Sequence, residues 1–295
     1  MTRYQARSRL HFGMLNLQSP GTSSYWASVD GIAILPIRAF GGVGLMIDEP
    51  AIIVEVEKAP TWLCSGPSAE RAMGFAQQVV ARLETSQPLH VRVVACPEEH
   101  TGLGVGTQLG LAVATATVQE LGFPHVAPQQ LAAWIGRGQR SAIGVHGFEH
   151  GGLIFEAGKL PTETLSPMVH AYPFPADWEV KLHSSPVTDR WHGQRELQAF
   201  QQLQRVERSL RETETLCRIV LTGLLPALLA HDFEQFSEAV YEFNARSGKL
   251  FEPVQGGRYA SPTIEAYIKE LRSNGIRGVG QSSWGPTVFS LHKRG

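Results

Sequence analysis

His100-Thr101-Gly102-Leu103-Gly104-Val105-Gly106-Thr107-Gln108-Leu109-Gly110 is the stretch on which the fold turns. Glycines at alternate positions let the backbone take positive φ and approach a ligand closely. Ahead of it, Leu89–Ala95 carries Val at 91, 93 and 94 and predicts a strand. Behind it, an Ala/Leu/Val-rich run ending near Leu121-Gly122 predicts a buried helix. A helix that starts at such a loop aims free N–H groups and its positive dipole end at whatever sits there. Strand, glycine loop and helix together make an anion cradle suited to phosphate or pyrophosphate. Thr107 is placed to cap the helix or to reach a phosphate oxygen, and Gln108 to do either. The rival is a tight turn with no ligand, and glycines alone do not separate the two. The spacing matches neither GxxxxGK[ST] nor, well, GxGxxG.

Working outward, Ala6-Arg7-Ser8-Arg9-Leu10-His11-Phe12-Gly13 alternates as a strand. Ser19 to Ser24 reads as a loop, and 32–37, 43–47 and 51–56 as short strands. Ser68 to Leu83 has helical spacing, with Ser68 as its N-cap and Glu70 in its first turn. Pro128 to Ile135 predicts a helix, and 151–156 and 180–183 predict strands. Beyond about Arg190 the chain is mostly helical, over 196–210, 218–230, 232–246 and 262–273. Strands at 278–281 and 287–291 close it.

The chain has 295 residues, 43% hydrophobic and 18% charged, which is ordinary globular composition with apolar mass for a large core. Lys+Arg (26) nearly balances Asp+Glu (27), so nothing points to nucleic acid or an anionic membrane, and any anion must be met locally. Cys64, Cys96 and Cys217 are scattered and odd in number, which argues against a zinc site or a disulfide framework and for a reducing compartment. No apolar run is long enough to span a bilayer, and no signal peptide is read at the N-terminus. The expectation is a cytoplasmic protein.

GLGVGTQ resembles the second motif of the GHMP kinases, PxxxGLGSSAA, on the same strand–loop–helix. Residues 6–13 resemble that superfamily's first motif, and Gly278-Val279-Gly280-Gln281-Ser282-Ser283-Trp284-Gly285-Pro286-Thr287 its third. The resemblance implies an α+β GHMP-kinase fold. A ribosomal-protein-S5-like α/β domain would cover 1–165 and a ferredoxin-like helical/β domain 166–295, with the site between them. Two departures speak against a kinase. Val105 and Gly106 occupy the two serine positions. The segment Ser141-Ala142-Ile143-Gly144 matches the kinase SGxD with Gly144 at the Asp, and glycine can neither accept a proton nor hold a metal. Phosphoryl transfer is mostly positioning and charge neutralisation, so both losses imply different chemistry on the same cradle. Gly136-Arg137-Gly138-Gln139-Arg140-Ser141-Ala142-Ile143-Gly144 resembles the GRGxRSxIG stretch of the β-ribofuranosylaminobenzene 5′-phosphate synthases. The GTQ after the glycines and Ser-Ser-Trp-Gly-Pro-Thr near the end resemble that family too. Its members often carry Ser where this chain has Val105.

The resemblance implies an enzyme joining phosphoribosyl pyrophosphate to 4-aminobenzoate or 4-hydroxybenzoate, with loss of pyrophosphate and CO2, in tetrahydromethanopterin biosynthesis. The product is a C-riboside 5′-phosphate. Such chemistry needs a pyrophosphate cradle with Mg²⁺, a cation for the carboxylate, and a slot that excludes water. Gly102, Leu103, Gly104, Val105, Gly106, Thr107 and Gln108 supply the cradle. Asp30 holds Mg²⁺ or ribose hydroxyls, or else closes an Asx turn. Arg137 and Arg140 clamp an oxyanion, or else close a helix end. Arg9 and His11 share one strand face, and Ser141 stands at the kinase-like segment. His146 and Glu149, read as following the Gly144 turn, are acid–base candidates. Ser282, Ser283 and Trp284 hydrogen-bond phosphate and stack on the aromatic acid, or the Trp is structural packing. The rivals are an ATP-dependent small-molecule kinase and a catalytically silent ligand-binding regulator. Homodimers are common for folds of this kind.

Overall fold

A computed structural model describes residues 1–17, 38–184, 198–203 and 210–295, together with the backbone of 28–29 and 32–33. The chain opens with β1 (Thr2–Met14), the short antiparallel pair β2 (Ser28–Val29) and β3 (Ile32–Ala33), and the long β4 (Gly42–Lys58). Then come β5 (Leu63–Ser65), α1 (Ala69–Arg82), β6 (Leu89–Ala95), α2 (Val105–Leu121), α3 (Pro128–Trp134), α4 (Ile143–His150) and β7 (Leu153–Glu156). β8 (Met168–Tyr172) and β9 (Trp178–Ser184) follow. The remainder comprises α5 (Leu210–Ile219), a π-helical turn Val220–Leu224, α6 (Leu225–Leu229), α7 (Phe233–Lys249), α8 (Glu252–Gln255), α9 (Pro262–Ser273), β10 (Val279–Gln281) and β11 (Thr287–Lys293).

β4 organises the first sheet. β1 pairs with it antiparallel along its whole length, β6 pairs with its Ile53–Lys58 half, and β7 with Gly42–Leu45. The sequence reading gives two strands here, at 43–47 and 51–56. The structure keeps one strand because β1 bridges both halves across a bulge at Arg7, where the Ser8 hydroxyl donates to the Pro50 carbonyl at 2.6 Å. β5 and β8 form the edges. The sequence division at 165/166 falls between β7 and β8, which are paired strands of this sheet. A second, antiparallel sheet runs β10-β11-β9.

α1 buries Ala72, Phe75, Ala76, Val79 and Val80, one face at helical spacing. α2 is apolar nearly all round and buried accordingly, with Leu109, Leu111, Ala112, Val113, Ala114 and Ala116 fully enclosed. Each buried Leu or Val contributes roughly 1.5–3 kcal/mol. This anchors α2 so that its N-terminus is a fixed point. The core is continuous from β1 through α2 to α7 and β11. α7 stitches the two sheets together. Asn244 Nδ2 donates to the carbonyls of Phe12 (2.7 Å) and Gln281 (2.8 Å), and Asn244 Oδ1 accepts the Gln281 N–H at 3.0 Å. The Ser247 hydroxyl accepts the Met14 N–H and donates to its carbonyl. The first and last motifs of the chain are thereby locked side by side.

Several local expectations shift. Ser68 stands at the start of α1 but in the left-handed region, φ 53°, without a side-chain capping bond. Thr107 lies inside α2, whose N-cap is Gly104. Residues 143–150 form helix α4 instead of following a turn at Gly144. The helix expected at 218–230 starts at Leu210 and passes through the π-helical turn. The 32–37 strand is described only at 32–33, and the loop at 19–24 lies outside the described residues.

Candidate active site

Gly104, φ 69° and left-handed, ends the loop and begins α2; its carbonyl accepts the N–H groups of Thr107 (3.1 Å) and Gln108 (3.2 Å). The N–H groups of Val105 and Gly106 have no earlier helical carbonyl to reach, the ordinary condition of a helix start. Both residues line a cleft of about 360 Å³, a volume ordinary for a small-molecule site. A side chain at Gly102, φ 91°, would collide with the Ser282 carbonyl, so glycine is required there. The loop is pinned from behind as well. Arg9 N–H donates to the Leu103 carbonyl at 2.9 Å, and the Ser282 hydroxyl donates to the Gly102 carbonyl at 2.7 Å.

Four guanidinium groups, Arg9, Arg71, Arg137 and Arg140, line the cleft with Glu99, His100, Ser283 and Trp284. A Cβ on Gly104 would lie 3.1 Å from Arg9 Nε, and one on Gly106 would lie 2.6 Å from Arg71 Nη2. Bare glycine is what lets both arginines close over the helix start. Arg71 forms an ion pair with Glu99. Arg71 and Arg137 both lean on the Phe75 ring, at 5.8 and 5.2 Å from its centroid, and Arg140 covers Phe200 at 4.1 Å. Such cation–π contacts are worth about 0.5–1 kcal/mol and aim the charged heads. Trp284 is wedged between Phe200 (4.7 Å) and Phe251 (5.0 Å). Positive charge, a helix dipole and an aromatic wall therefore converge on one space, the arrangement a polyanion joined to a flat ring requires.

Behind the loop lies a buried layer. The His11 ring, fully buried, sets Nε2 at 3.2 Å from the Ser141 hydroxyl. Burial, then Arg9, holds its pKa well below the usual imidazole range, so it is neutral. Its backbone is clamped by Ser282 and Ser283. Glu156 is completely enclosed and accepts the Ala142 N–H at 2.7 Å, serving as the missing cap of α4. Burial pushes its carboxyl up to about 7, against the lowering effects of Ser141, the Ala142 N–H, Ser166 and Arg9.

The structure thus brings Arg9, Gly102 to Thr107, Arg137, Arg140, Ser283 and Trp284 into one cleft. His11, Ser141 and Ser282 form the layer behind it. Gln108 is not in the cleft lining: it is buried, and its Nε2 donates to the Gly144 carbonyl at 2.6 Å, bracing α2 against α4. His146 and Glu149 are not at the cleft either. The α4 helix carries them away; His146 is spent on the Ser166 carbonyl at 2.8 Å, with its pKa lowered chiefly by burial. Glu149 is exposed beside His150. Asp30 lies outside the described residues. Arg71, Glu99 and His100 are cleft residues that sequence reasoning misses. Arg71 looks like an ordinary helix charge. Glu99 and His100 stand in the polar lead-in to the glycines, and that adjacency is the available signal.

The family profile described as GHMP kinases C terminal matches residues 224–295. Among solved structures, the phosphomevalonate kinase of Streptococcus pneumoniae, in complex with phosphomevalonate and AMPPNP, superposes with a TM-score of 0.67 at 12% identity, covering 100% of this chain and 93% of that one. The mevalonate kinase of Methanococcus jannaschii gives 0.64 at 7%, covering 99% and 90%. At such identities the likeness establishes the fold alone, and that fold is the GHMP-kinase fold. Curated relatives of another kind match by sequence. The β-ribofuranosylphenol 5′-phosphate synthase of Methanothermobacter thermautotrophicus is 32% identical over 276 residues, 86% of this chain and 82% of the relative. That of Archaeoglobus fulgidus is 28% identical over 303 residues, 99% and 88%. By its sequence relatives, this chain belongs to the β-ribofuranosylphenol 5′-phosphate synthase family.

Proposed function

We propose that the chain is the enzyme that transfers the phosphoribosyl group of phosphoribosyl pyrophosphate to 4-hydroxybenzoate, releasing pyrophosphate and CO2. The observation that carries this reading is the set of four arginines lining the cleft at the α2 N-terminus, two of them against the helix start, with Trp284 in the same lining. The relatives' name, which is that of a ribosylphenol, favours the hydroxy acid over 4-aminobenzoate. The Val105 and Gly106 N–H groups with Arg9 and Arg71 receive the pyrophosphate. They stabilise the charge that grows as the bond to ribose C1 breaks. Arg137 and Arg140 meet the remaining phosphate or the acceptor carboxylate, and Trp284 gives the flat ring its wall. The kinase alternative is weaker. Gly144 at the position of the kinase Asp offers no carboxylate to take a proton from an acceptor hydroxyl.

Mg²⁺ is expected to travel with the diphosphate and would shield its charge. Among the described residues no three His, Cys, Asp or Glu side chains converge as a metal site. A cation riding on phosphate oxygens needs only one or two carboxylates, so the cleft is compatible with it. Asp30 remains the proposed ligand. The three cysteines are free thiols, which supports a reducing, cytoplasmic setting. No helix among the described residues is long and apolar enough to cross a membrane. A homodimer is the expected assembly, checked by solution mass. The decisive test is incubation with phosphoribosyl pyrophosphate, Mg²⁺ and carboxyl-labelled 4-hydroxybenzoate. Labelled CO2 equal to pyrophosphate supports the reading. ADP and a phosphorylated alcohol from an ATP assay would overturn it, and binding without turnover would leave only a silent regulator.

A further inference from the structure

The acid–base residues that sequence favours, His146 and Glu149, are outside the cleft, and His11 is sealed behind it. One imidazole does line the cleft among the described residues: His100. It is held at φ 63°, a left-handed conformation uncommon for a residue with a side chain. Such strain persists where the surrounding structure enforces it. The ring's Nε2 lies 3.7 Å from a Glu99 carboxylate oxygen, and that carboxylate is itself held by Arg71. Arg9, Arg71, Arg137 and Arg140 face the same cleft. The other polar side chains of the described lining are Thr107 and Ser283, neither of which titrates near neutrality.

The two acceptor types differ in what they ask of such a group. The substituent opposite the carboxylate must push electrons into the ring while the carboxylate-bearing carbon attacks ribose C1. An amino group does this from its neutral lone pair. A hydroxyl does it fully only after losing its proton. We infer that His100, beside Glu99, takes that proton and so favours hydroxy acceptors at this site. This rests on the proposed function and deepens it. The imidazole accepts the phenolic proton. The new carbon–carbon bond forms as the C1–oxygen bond breaks, and pyrophosphate leaves with that electron pair. The carbon–carboxylate bond then breaks, CO2 departs, and its pair restores the ring as phenolate. The phenolate recovers the proton from the imidazolium. With an amino acceptor no proton moves in these steps.

The test compares 4-hydroxybenzoate with 4-aminobenzoate, each with phosphoribosyl pyrophosphate, in the full-length protein and in His100→Asn. Asparagine tolerates left-handed backbone and cannot act as a base. The hydroxy acceptor should lose about 100-fold in kcat/KM, the low end for a general base. The amino acceptor should be nearly unaffected. The acidic limb of the pH profile should be present only for the hydroxy acceptor with His100 intact. Inorganic pyrophosphate, titrated calorimetrically, should bind the variant as it binds the parent, showing the cleft and fold intact; His100→Gln is the second variant. Equal losses with both acceptors, or none with either, overturn the inference. A parent protein that turns over neither acceptor brings down the proposed function, and this inference with it.

Discussion

The front and the back of the glycine loop are built from similar residues to opposite ends. In front, Arg9, Arg71, Arg137 and Arg140 keep their charged heads at a cleft. Behind, His11 and Glu156 are enclosed, and burial works against their charges. A cation in front, only partly buried, is placed to act on a ligand. A titratable group behind acts through hydrogen bonds that fix the loop. Changes in front should therefore alter ligand energies and spare the fold, and changes behind should do the reverse.

The sharpest way to break this contrast is at Asn244, whose side chain joins the backbones of Phe12 and Gln281. Asn244→Ala removes one partner from each of three buried backbone groups, so it should cost about 3–4 kcal/mol of stability. Urea or thermal unfolding measures it. A loss below about 1 kcal/mol would mean that water takes over the amide's bonds and that Asn244 does not lock the layer.

Glu156 tests the same layer by pH. Its folded pKa, about 7, lies above the ordinary 4.5. The folded state therefore holds the proton more tightly than the unfolded chain does. Its contribution is fully present below about 4.5 and is lost as pH rises through about 7, on the order of 3 kcal/mol in all. Glu156→Gln should flatten that slope in unfolding measurements between these limits. An unchanged slope would place the titration elsewhere.

How much of this was legible follows the same division. The glycine loop and its helix can be read because glycine spacing and helix polarity are local. Pro262–Ser273 can be read for the same reason, since Ser261 caps it and Pro262 opens it. The back layer cannot. Asn244 looks like any polar residue on an amphipathic helix, and only the fold brings it to residues 12 and 281. His146 misleads because Gly144 suggests a turn, whereas Glu156 caps a helix there from 14 positions away in sequence. Arg71 is hidden because α1 carries it to the loop from 35 residues upstream of Gly106.

At the front, Arg71→Ala should weaken inorganic pyrophosphate binding about tenfold to thirtyfold, the worth of a charge-assisted hydrogen bond of about 1.5–2 kcal/mol. The melting temperature should hardly move. Its ion pair with Glu99 is partly exposed and contributes little to stability. A large loss of stability with unchanged binding would move Arg71 to the structural layer.

Arg140→Lys is the finest cut. Arg140 lies over the Phe200 ring at 4.1 Å, and the guanidinium has a planar face that suits such a contact. Lysine keeps the charge, so attraction to a polyanion survives. It loses the fork that grips two oxygens at once and most of the stacking that aims it. The expected result is a loss of about 1 kcal/mol in kcat/KM, roughly fivefold, from the missing fork. The change in stability should be smaller still, because stacking is worth about 0.5–1 kcal/mol and lysine recovers part of it. A helix-end role alone responds to charge and not to shape, so it predicts no kinetic change at all. Steady-state kinetics beside thermal unfolding separates the two. Unchanged catalysis would mean that Arg140 serves the ring beneath it instead of the ligand above it.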